Sequence, residues 1–443
     1  MKAVSFVEQL AAAGLEANQV EPKIHLFDRV LSTLQVMSGH GPDYVGWVPG
    51  RLEVFGTHTD YAGGRTLVSA VPRGFAFVAK QRTDGQLHVV DALASGESVL
   101  LDTRRLTPYT GWRHYVEIAI DRLARNFPGA ALGADIAFAS DLPRAAGMSS
   151  SSALIVGTAA TLIRLSGLRD HPEWRANIRG PVDEAGYYAC IENGRTFGFL
   201  AGNAGVGTHG GSEDHAAMVC GEPGAMTAFS FVPMRRLHSV RLPPDWVMVV
   251  ATSGVAAEKT GAALEPYNRL AQGTAILLDI WNTHERPMGS LGAALASDPA
   301  AATHLETLAG TARVDGWSSE ALVNRLRHFS REDARVEEAV VALKDSDGVR
   351  LKQAAEASQA ESSTLLGNQV DETVTLARLA MENGALASRN FGAGFGGSVW
   401  AVVERESNSF AERWLDSYRK LYPGRRSMAF VGQPGPLLME FTL

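Results

Sequence analysis

The chain has 443 residues, 45% of them hydrophobic and 20% charged, with 48 acids against 41 bases for a net charge of -7. This is an ordinary globular composition with length for more than one cored domain, and no apolar run approaches the ~18 residues of a membrane helix. The acidic balance argues against broad nucleic-acid or anionic-membrane binding, both of which want a basic face. Two cysteines, Cys190 and Cys220, exclude a disulfide scaffold and any four-cysteine metal site. The start, Met1-Lys2-Ala3, lacks the apolar segment of a secretory signal, so the expected compartment is the cytoplasm.

In chain order, residues 4–37 read as helices, with Leu26, Val30, Leu31 and Leu34 at helical spacing. Pro49-Gly50 breaks that pattern. Arg51-Leu52-Glu53-Val54-Phe55 then alternates like a half-buried strand ending at Gly56. Strands are expected over 74–81, 87–91 and 98–102, an amphipathic helix over 112–127, and a strand over 135–139. A helix over 149–165 stops near Gly167. Another covers 184–193, and 247–252 is an apolar strand. From about Glu258 to Leu386 the pattern is almost all helical. A strand over 398–403, a helix over 410–421 and strand-like pieces close the chain. Strands and helices mix without strict alternation, which points to an α+β fold. A change of composition near Met234–Pro244 divides the chain into domains 1–235 and 236–443.

Three stretches concentrate glycine, which lets backbone N–H groups approach phosphate. Pro143–Leu154, with Gly147 and four serines Ser149, Ser150, Ser151 and Ser152, follows a strand and opens a helix. It reads equally as an anion site, whose hydroxyls also reach a magnesium ion, or as a long helix cap. Gly205–Gly210 and Gly392–Gly397 both fit G-x-G-x-x-G. Neither lies between a strand and a helix, so a nicotinamide site is disfavoured. The sequence holds no G-x-x-x-x-G-K-[ST], no HRD and DFG pair, no G-x-S-x-G and no H-E-x-x-H. P-loop ATPases and the eukaryotic protein-kinase plan are therefore excluded, and serine hydrolases and zinc sites lack support.

Pro49-Gly50-Arg51-Leu52-Glu53-Val54-Phe55-Gly56-Thr57-His58-Thr59-Asp60-Tyr61-Ala62-Gly63-Gly64 resembles the galactokinase signature G-R-V-N-L-I-G-E-H-T-D-Y-N-G-G. Pro143–Leu154 is similar to the P-x-G-x-G-L-S-S-S-A phosphate loop of the GHMP small-molecule kinases. Ser388–Ser398 resembles that superfamily's C-terminal glycine loop. Trp112–Val116 and Glu265–Asn268 resemble the galactokinase W-x-x-Y-V and E-Y-N segments. Five matches in order, spanning most of the chain, identify a galactokinase-like GHMP kinase.

The resemblance implies an α+β two-domain fold, with an N-terminal domain like ribosomal protein S5 domain 2 and a ferredoxin-like C-terminal domain. It implies transfer of the γ-phosphoryl of ATP, with Mg2+, to the C1 hydroxyl of galactose or a related sugar. Asp214 would take the proton from that hydroxyl, and Arg51 would face it and the transferred phosphate. Thr57, His58, Asp60, Gly211 and Tyr267 would line the sugar site. Trp112, Gly147, Ser149, Ser150, Ser151, Ser152 and Gly394 would bind ATP, and Ser151 and Glu192 the metal. The implied partners are a small sugar and ATP, with no nucleic acid or membrane, and the enzyme is expected as a monomer or homodimer.

The sequence also departs from the family. Thr57 stands where galactokinases carry the glutamate that accepts from the sugar's C6 hydroxyl, Glu53 replaces asparagine and His215 replaces glutamine. The loss of an acceptor at position 57 opens the site to galacturonate, arabinose or fucose, unless another residue supplies the contact. Ala145 replaces a phosphate-loop glycine and is expected at negative φ. Glu192 lies 22 residues before Asp214, farther than in the family, either through an insertion at Gly194–Gly210 or because the register assigned to Glu192 is wrong. A catalytically silent sugar- and ATP-binding sensor is the reading of another class.

Overall fold

Two sheets organise the computed structural model, which describes residues 3–94, 97–103, 110–257, 263–407 and 409–443. The N-terminal part runs α1 (Ala3–Ala12), α2 (Val20–Ser38), β1 (Tyr44–Phe55), β2 (Arg65–Gln81), β3 (Gln86–Asp91), β4 (Ser98–Asp102), α3 (Trp112–Asn126), β5 (Ala134–Ser140) and α4 (Ser150–Leu165). It continues through α5 (Pro172–Asn177), α6 (Pro181–Asn193), α7 (Glu213–Val219), β6 (Met226–Ser230) and β7 (Arg235–Val240). The rest comprises β8 (Trp246–Thr252), α8 (Leu264–His284), α9 (Leu291–Leu295), α10 (Ala301–Thr311), α11 (Ser319–Lys344), α12 (Gly348–Glu361) and α13 (Asp371–Glu382). β9 (Ala387–Phe391), β10 (Ser398–Glu404), α14 (Phe410–Leu421), β11 (Ala429–Val431) and β12 (Met439–Glu440) complete it. Glu258, where the helical stretch was expected to begin, lies outside the described residues.

The first sheet has the order β12-β1-β2-β5-β3-β4, with β6 on β2 and β7 on β6. All twelve residues of β1 are buried, so the expected half-buried strand is covered on both faces. Trp47, Val78 and Ala137 meet α1 and α2 on one face, while Val48, Leu52 and Phe77 join Leu154, Ile155 and Tyr187 on the other. The alternation at Arg51 and Glu53 therefore does not mark a solvent face. It marks a polar site inside the molecule.

The second sheet runs β11-β8-β10-β9 and is antiparallel throughout. In chain order that is strand 4-1-3-2, and α13 and α14 pack against it over one apolar cluster. This is the βαββαβ plan expected of a ferredoxin-like domain. Between β8 and β9 the chain inserts the helical cluster α8–α11, built on Leu277, Trp281, Leu305, Leu326 and Phe329. Tyr61, from the loop after β1, is buried in that cluster, so the signature segment is clamped between the two halves. The last strand, β12, returns to pair with β1 at Gly46 and Trp47.

Candidate active site

Arg51 and Asp214 meet at the floor of the cleft. Arg51 leaves β1 fully buried and donates from Nε to Asp214 Oδ1 at 2.6 Å, while its Nη2 lies 2.5 Å from the same oxygen and 2.9 Å from Glu213 Oε1. Asp214 is in the first turn of α7, and Ser152 Oγ donates to its other oxygen at 3.1 Å. Burial alone would lower the Arg51 pKa, but Asp214, Glu213 and Glu53 around it raise it and hold the guanidinium charged. One cation thus fixes two neighbouring carboxylates. Burial, and then the Glu53, Asp60 and Asp214 charges, push Glu213 well above the usual carboxylate range against the pull of Arg51.

A small polar cavity opens on this pair, lined by Glu53, His58, Asp60, Glu192, Gly211, Glu213, His215, Tyr267 and Ala393 among others. Asp60 Oδ2 accepts from the Glu213 backbone N–H at 3.0 Å. A Cβ on Gly211 would sit 2.0 Å from that carboxylate oxygen, so only glycine lets Asp60 approach. The two His58 ring nitrogens meet Tyr61 OH at 2.9 Å and the Ala393 carbonyl at 3.1 Å. His58 thereby ties the signature loop to the C-terminal glycine loop, with its ring against Tyr267 at 5.4 Å. Tyr267 with Thr208, Gly210 and Gly211 forms one wall of this cavity.

A second, larger cavity of about 410 Å3 adjoins it, within the range of small-molecule sites. Trp112, Tyr115, Phe75 and Phe138 supply its apolar wall, and Gly147, Ser149, Ser150 and Ser151 its polar end at the start of α4. Trp112 packs edge-on to Phe138 at 5.2 Å and donates from Nε1 to Glu97 at 2.6 Å. Ser149 Oγ is buried and makes no hydrogen bond to protein among the described residues. The two cavities meet where Arg51 Nη1 donates to the Gly147 carbonyl at 3.3 Å and where Ser152, next to Ser151, holds Asp214. Gly392 seals this junction, since a Cβ there would lie 2.9 Å from the Gly147 carbonyl. Ala145 corrects an expectation: its φ is +49°. The left-handed residue is held by a bond from the Ala257 N–H to its carbonyl at 2.8 Å, and costs on the order of 1 kcal/mol relative to glycine.

Three residues expected at the ligands lie elsewhere. Thr57 is fully buried beneath the small cavity, donating to Glu53 and accepting from Arg389. Its partner Glu53 lines the cavity wall instead. Ser152 turns its hydroxyl to Asp214 and not to the larger cavity. Gly394 packs against Asn368, which leaves a Cβ no room at 2.4 Å, and its neighbours Gly392 and Ala393 reach the small cavity.

The expected metal ligands line different cavities, Ser151 the larger and Glu192 the smaller. His215 Nε2 stands 3.2 Å from Glu192 Oε2. The structure does not bring Ser151 and Glu192 into one cavity; each is an oxygen donor of the kind magnesium takes beside phosphate and water.

Gly205–Gly210 follows a helix-capping loop and spends several of its backbone N–H groups on the protein, Gly205 N–H on Asn203 Oδ1 at 3.2 Å among them. Val206 N–H donates to the Glu192 carbonyl at 2.8 Å, and His209 N–H to Asn268 Oδ1 at 2.8 Å. Asn268 also donates to the Gly207 carbonyl at 2.9 Å. Upstream, Arg122 holds the Arg195 and Leu200 carbonyls at 2.8 and 3.3 Å. The stretch is a docked loop that walls the small cavity.

Sequence reasoning missed Glu213 and Glu332. Glu332, on α11, is fully buried and accepts from Gly56 N–H at 3.0 Å, Arg389 at 2.7 Å and Ser358 at 2.6 Å. A glutamate within a long charged helix looks solvent-facing in sequence. Glu213 had a signal, since it and Asp214 are adjacent acids directly after the Gly210-Gly211-Ser212 turn.

Comparison with known proteins gives three family matches in chain order. Residues 36–81 match the galactokinase galactose-binding signature, 114–184 the GHMP kinase N-terminal domain and 339–420 the GHMP kinase C-terminal domain. A galactokinase of Roseiflexus sp. strain RS-1 is 29% identical over 375 residues, covering 83% of this chain and 85% of the relative. The galactokinase of Chloroflexus aurantiacus is 28% identical over 401 residues, 87% of this chain and 92% of its own. Among solved structures, Lactococcus lactis galactokinase complexed with galactose superposes with a TM-score of 0.74 at 21% identity, covering 93% of this chain and 98% of that one. The mevalonate kinase of Methanococcus jannaschii gives a TM-score of 0.54 at 13% identity, with 88% and 98% covered.

Proposed function

The chain belongs to the GHMP kinase superfamily with a galactokinase-type sugar signature, and on that premise we propose how it works as an ATP-dependent sugar 1-kinase acting on galactose or a near relative. The carrying observation is the junction of the two cavities at Arg51, Asp214 and Ser152. The small acidic cavity suits a polyol and the larger one, with an aromatic wall and a helix N-terminus, suits a nucleotide. The free end of α4 presents N–H groups and the Ser149 hydroxyl to phosphate.

In the proposed reaction Asp214 accepts the proton of the sugar's C1 hydroxyl as O1 bonds to the γ-phosphorus. The bond from that phosphorus to the β,γ-bridging oxygen breaks, and ADP leaves with the electron pair. Ser152 and Arg51 hold the Asp214 carboxylate in one orientation, so little reorganisation accompanies proton transfer. Arg51 also supplies fixed positive charge beside the transferred group. Ser151 and Glu192 are the residues that would hold Mg2+, whose role is to neutralise phosphate charge. The docked Gly194–Gly210 loop supports keeping Glu192 in this role, because it accounts for the long spacing to Asp214.

Glu53 bears on the choice of sugar. With Asp60 and Asp214 it makes the wall acidic, which favours hydroxyls and disfavours the carboxylate of a uronate. Galactose is the leading substrate, with arabinose and fucose as neutral alternatives. The intact base, its serine and its arginine favour turnover over a silent sensor. We place the enzyme in the cytoplasm as a monomer or homodimer.

The test is ADP release with MgATP against galactose, galacturonate, arabinose and fucose, with Asp214→Asn alongside. Turnover on a neutral sugar, abolished in the variant, is expected. Sugar binding without ADP release in the wild type would establish the sensor.

A further inference from the structure

Glu213 is a carboxyl that the proposed reaction leaves unused, yet it lies at its centre. It is 9% exposed and lines the sugar cavity. Its Oε1 is fixed by Arg51 Nη2 at 2.9 Å. Its Oε2 is buried and makes no hydrogen bond to protein among the described residues. A buried oxygen without a partner costs about 1–3 kcal/mol, so a site that keeps one beside a polyol cavity has a ligand group to receive. The backbone N–H of Glu213 is itself taken by Asp60, which fixes the residue between the reacting end of the site and its far wall.

Resting on the sugar-kinase reading, we propose that Glu213 is a sugar-binding residue, with Oε1 held on Arg51 and Oε2 hydrogen-bonded to the hydroxyl next to the reacting one, at C2. The position follows from the shared guanidinium. Nη2 of Arg51 bonds Asp214 Oδ1 at 2.5 Å and Glu213 Oε1 at 2.9 Å, so the two carboxyls stand side by side. Asp214 takes O1; of the two polar groups beside it on the sugar, the ring oxygen only accepts, whereas the C2 hydroxyl both donates and accepts and so pairs with a carboxyl oxygen in either protonation state. One guanidinium between two carboxyls, with Glu53 and Asp60 on the same wall, offsets one negative charge. The cavity therefore favours Glu213 with its proton, as a neutral donor to O2. The site would then demand an oxygen at C2, because an analogue without it leaves a buried polar group unpaired.

The experiment compares wild type, Glu213→Gln and Glu213→Met with galactose and 2-deoxygalactose, by steady-state kinetics and by the equilibrium affinity for each sugar. The glutamine variant keeps an oxygen for Arg51 and an N–H donor for O2, and should stay within about threefold of wild type. The methionine variant should lose tenfold or more in galactose affinity, with the affinity for 2-deoxygalactose changed less than twofold. Equal losses for both sugars would overturn the proposal and leave Glu213 acting only through Arg51. Unchanged galactose affinity in the methionine variant would overturn it too. If methionine prevents folding, the glutamine variant decides: a loss above tenfold that is the same for both sugars counts against the contact. Wild-type turnover of galactose in the same assay tests the kinase reading separately, so the two failures are told apart.

Discussion

Asp214 is held from both sides, by Arg51 at 2.6 Å and by Ser152 at 3.1 Å, and each contact has its own expected effect. Asp214→Asn removes the proton acceptor but keeps a similar shape. Its kcat should fall by 10² to 10⁴, the usual worth of a positioned base, with ATP and sugar affinities within a few-fold of wild type. Ser152→Ala removes one bond to a charged acceptor, worth about 1.5–3 kcal/mol when intact. It should lower kcat by about tenfold or more and leave the KM for ATP unchanged, since the Ser152 hydroxyl does not face the larger cavity. A rise in the KM for ATP alone would return Ser152 to the nucleotide. Glu53 sets the third expectation at this scale. Like charges about 5 Å apart at an effective dielectric of 20 repel by roughly 3 kcal/mol. Galacturonate should therefore be used at least about 100-fold less well than galactose in kcat/KM, and Glu53→Gln should narrow that gap. A wild-type preference for the uronate would show that the wall is not acidic in the working site.

Among the elements, the 194–210 loop and the start of α8 act together. Asn268 bonds the loop at two points, 2.8 and 2.9 Å, while its neighbour Tyr267 faces the sugar cavity. Asn268→Ala should therefore speed amide hydrogen exchange over residues 205–210 and raise the KM for sugar several-fold, with kcat little changed. Galactose should slow that exchange in the wild type. Exchange unaffected by the substitution would mean that Arg122 and α3 alone hold the loop. Most elements were legible from periodicity, because long amphipathic segments such as α2 and α11 carry many repeats of one pattern. Elements around the site were not. α7 has seven residues, too few to show a helical period, and β9 lies within the serine–glycine motif and reads as loop. Alternation in β1 suggested one solvent face, where the structure has two covered faces. The motifs brought Arg51, Asp60, Asp214, Tyr267 and the phosphate-loop serines to the site. Matching positions could not foresee that Thr57 is buried and Glu53 lines the cavity, since that pairing is visible only when both side chains are seen sharing a bond.

At the scale of the whole molecule, the sugar site depends on the seam between the two halves, and Glu332 is its centre. From α11 it accepts bonds from the backbone of Gly56 and Thr57 and from Arg389 of the second sheet. Thr57 passes the link on to Glu53 at the cavity. Burial would raise the Glu332 pKa, but Arg389, His328, Ser358 and Arg335 outweigh it and lower it to about 2. The ordinary value is 4.5, so the folded state binds this proton less readily than the unfolded chain. Its stabilising contribution, roughly 3 kcal/mol, is complete above about pH 4.5 and is lost as the pH falls towards 2. Glu332→Gln keeps the acceptor oxygen but takes from Arg389 its nearer counter-charge and leaves it Glu53 at 3.6 Å, a loss of about 3 kcal/mol at neutral pH. Urea unfolding at pH 7, 4 and 3 should show that deficit whole at pH 7, reduced at pH 4 and smaller still at pH 3, because acid stabilises the unfolded wild-type chain, which takes up a proton that the folded state binds only near pH 2. A deficit equal at all three pH values would mean that Glu332 holds the seam by shape and hydrogen bonding, with its charge contributing nothing.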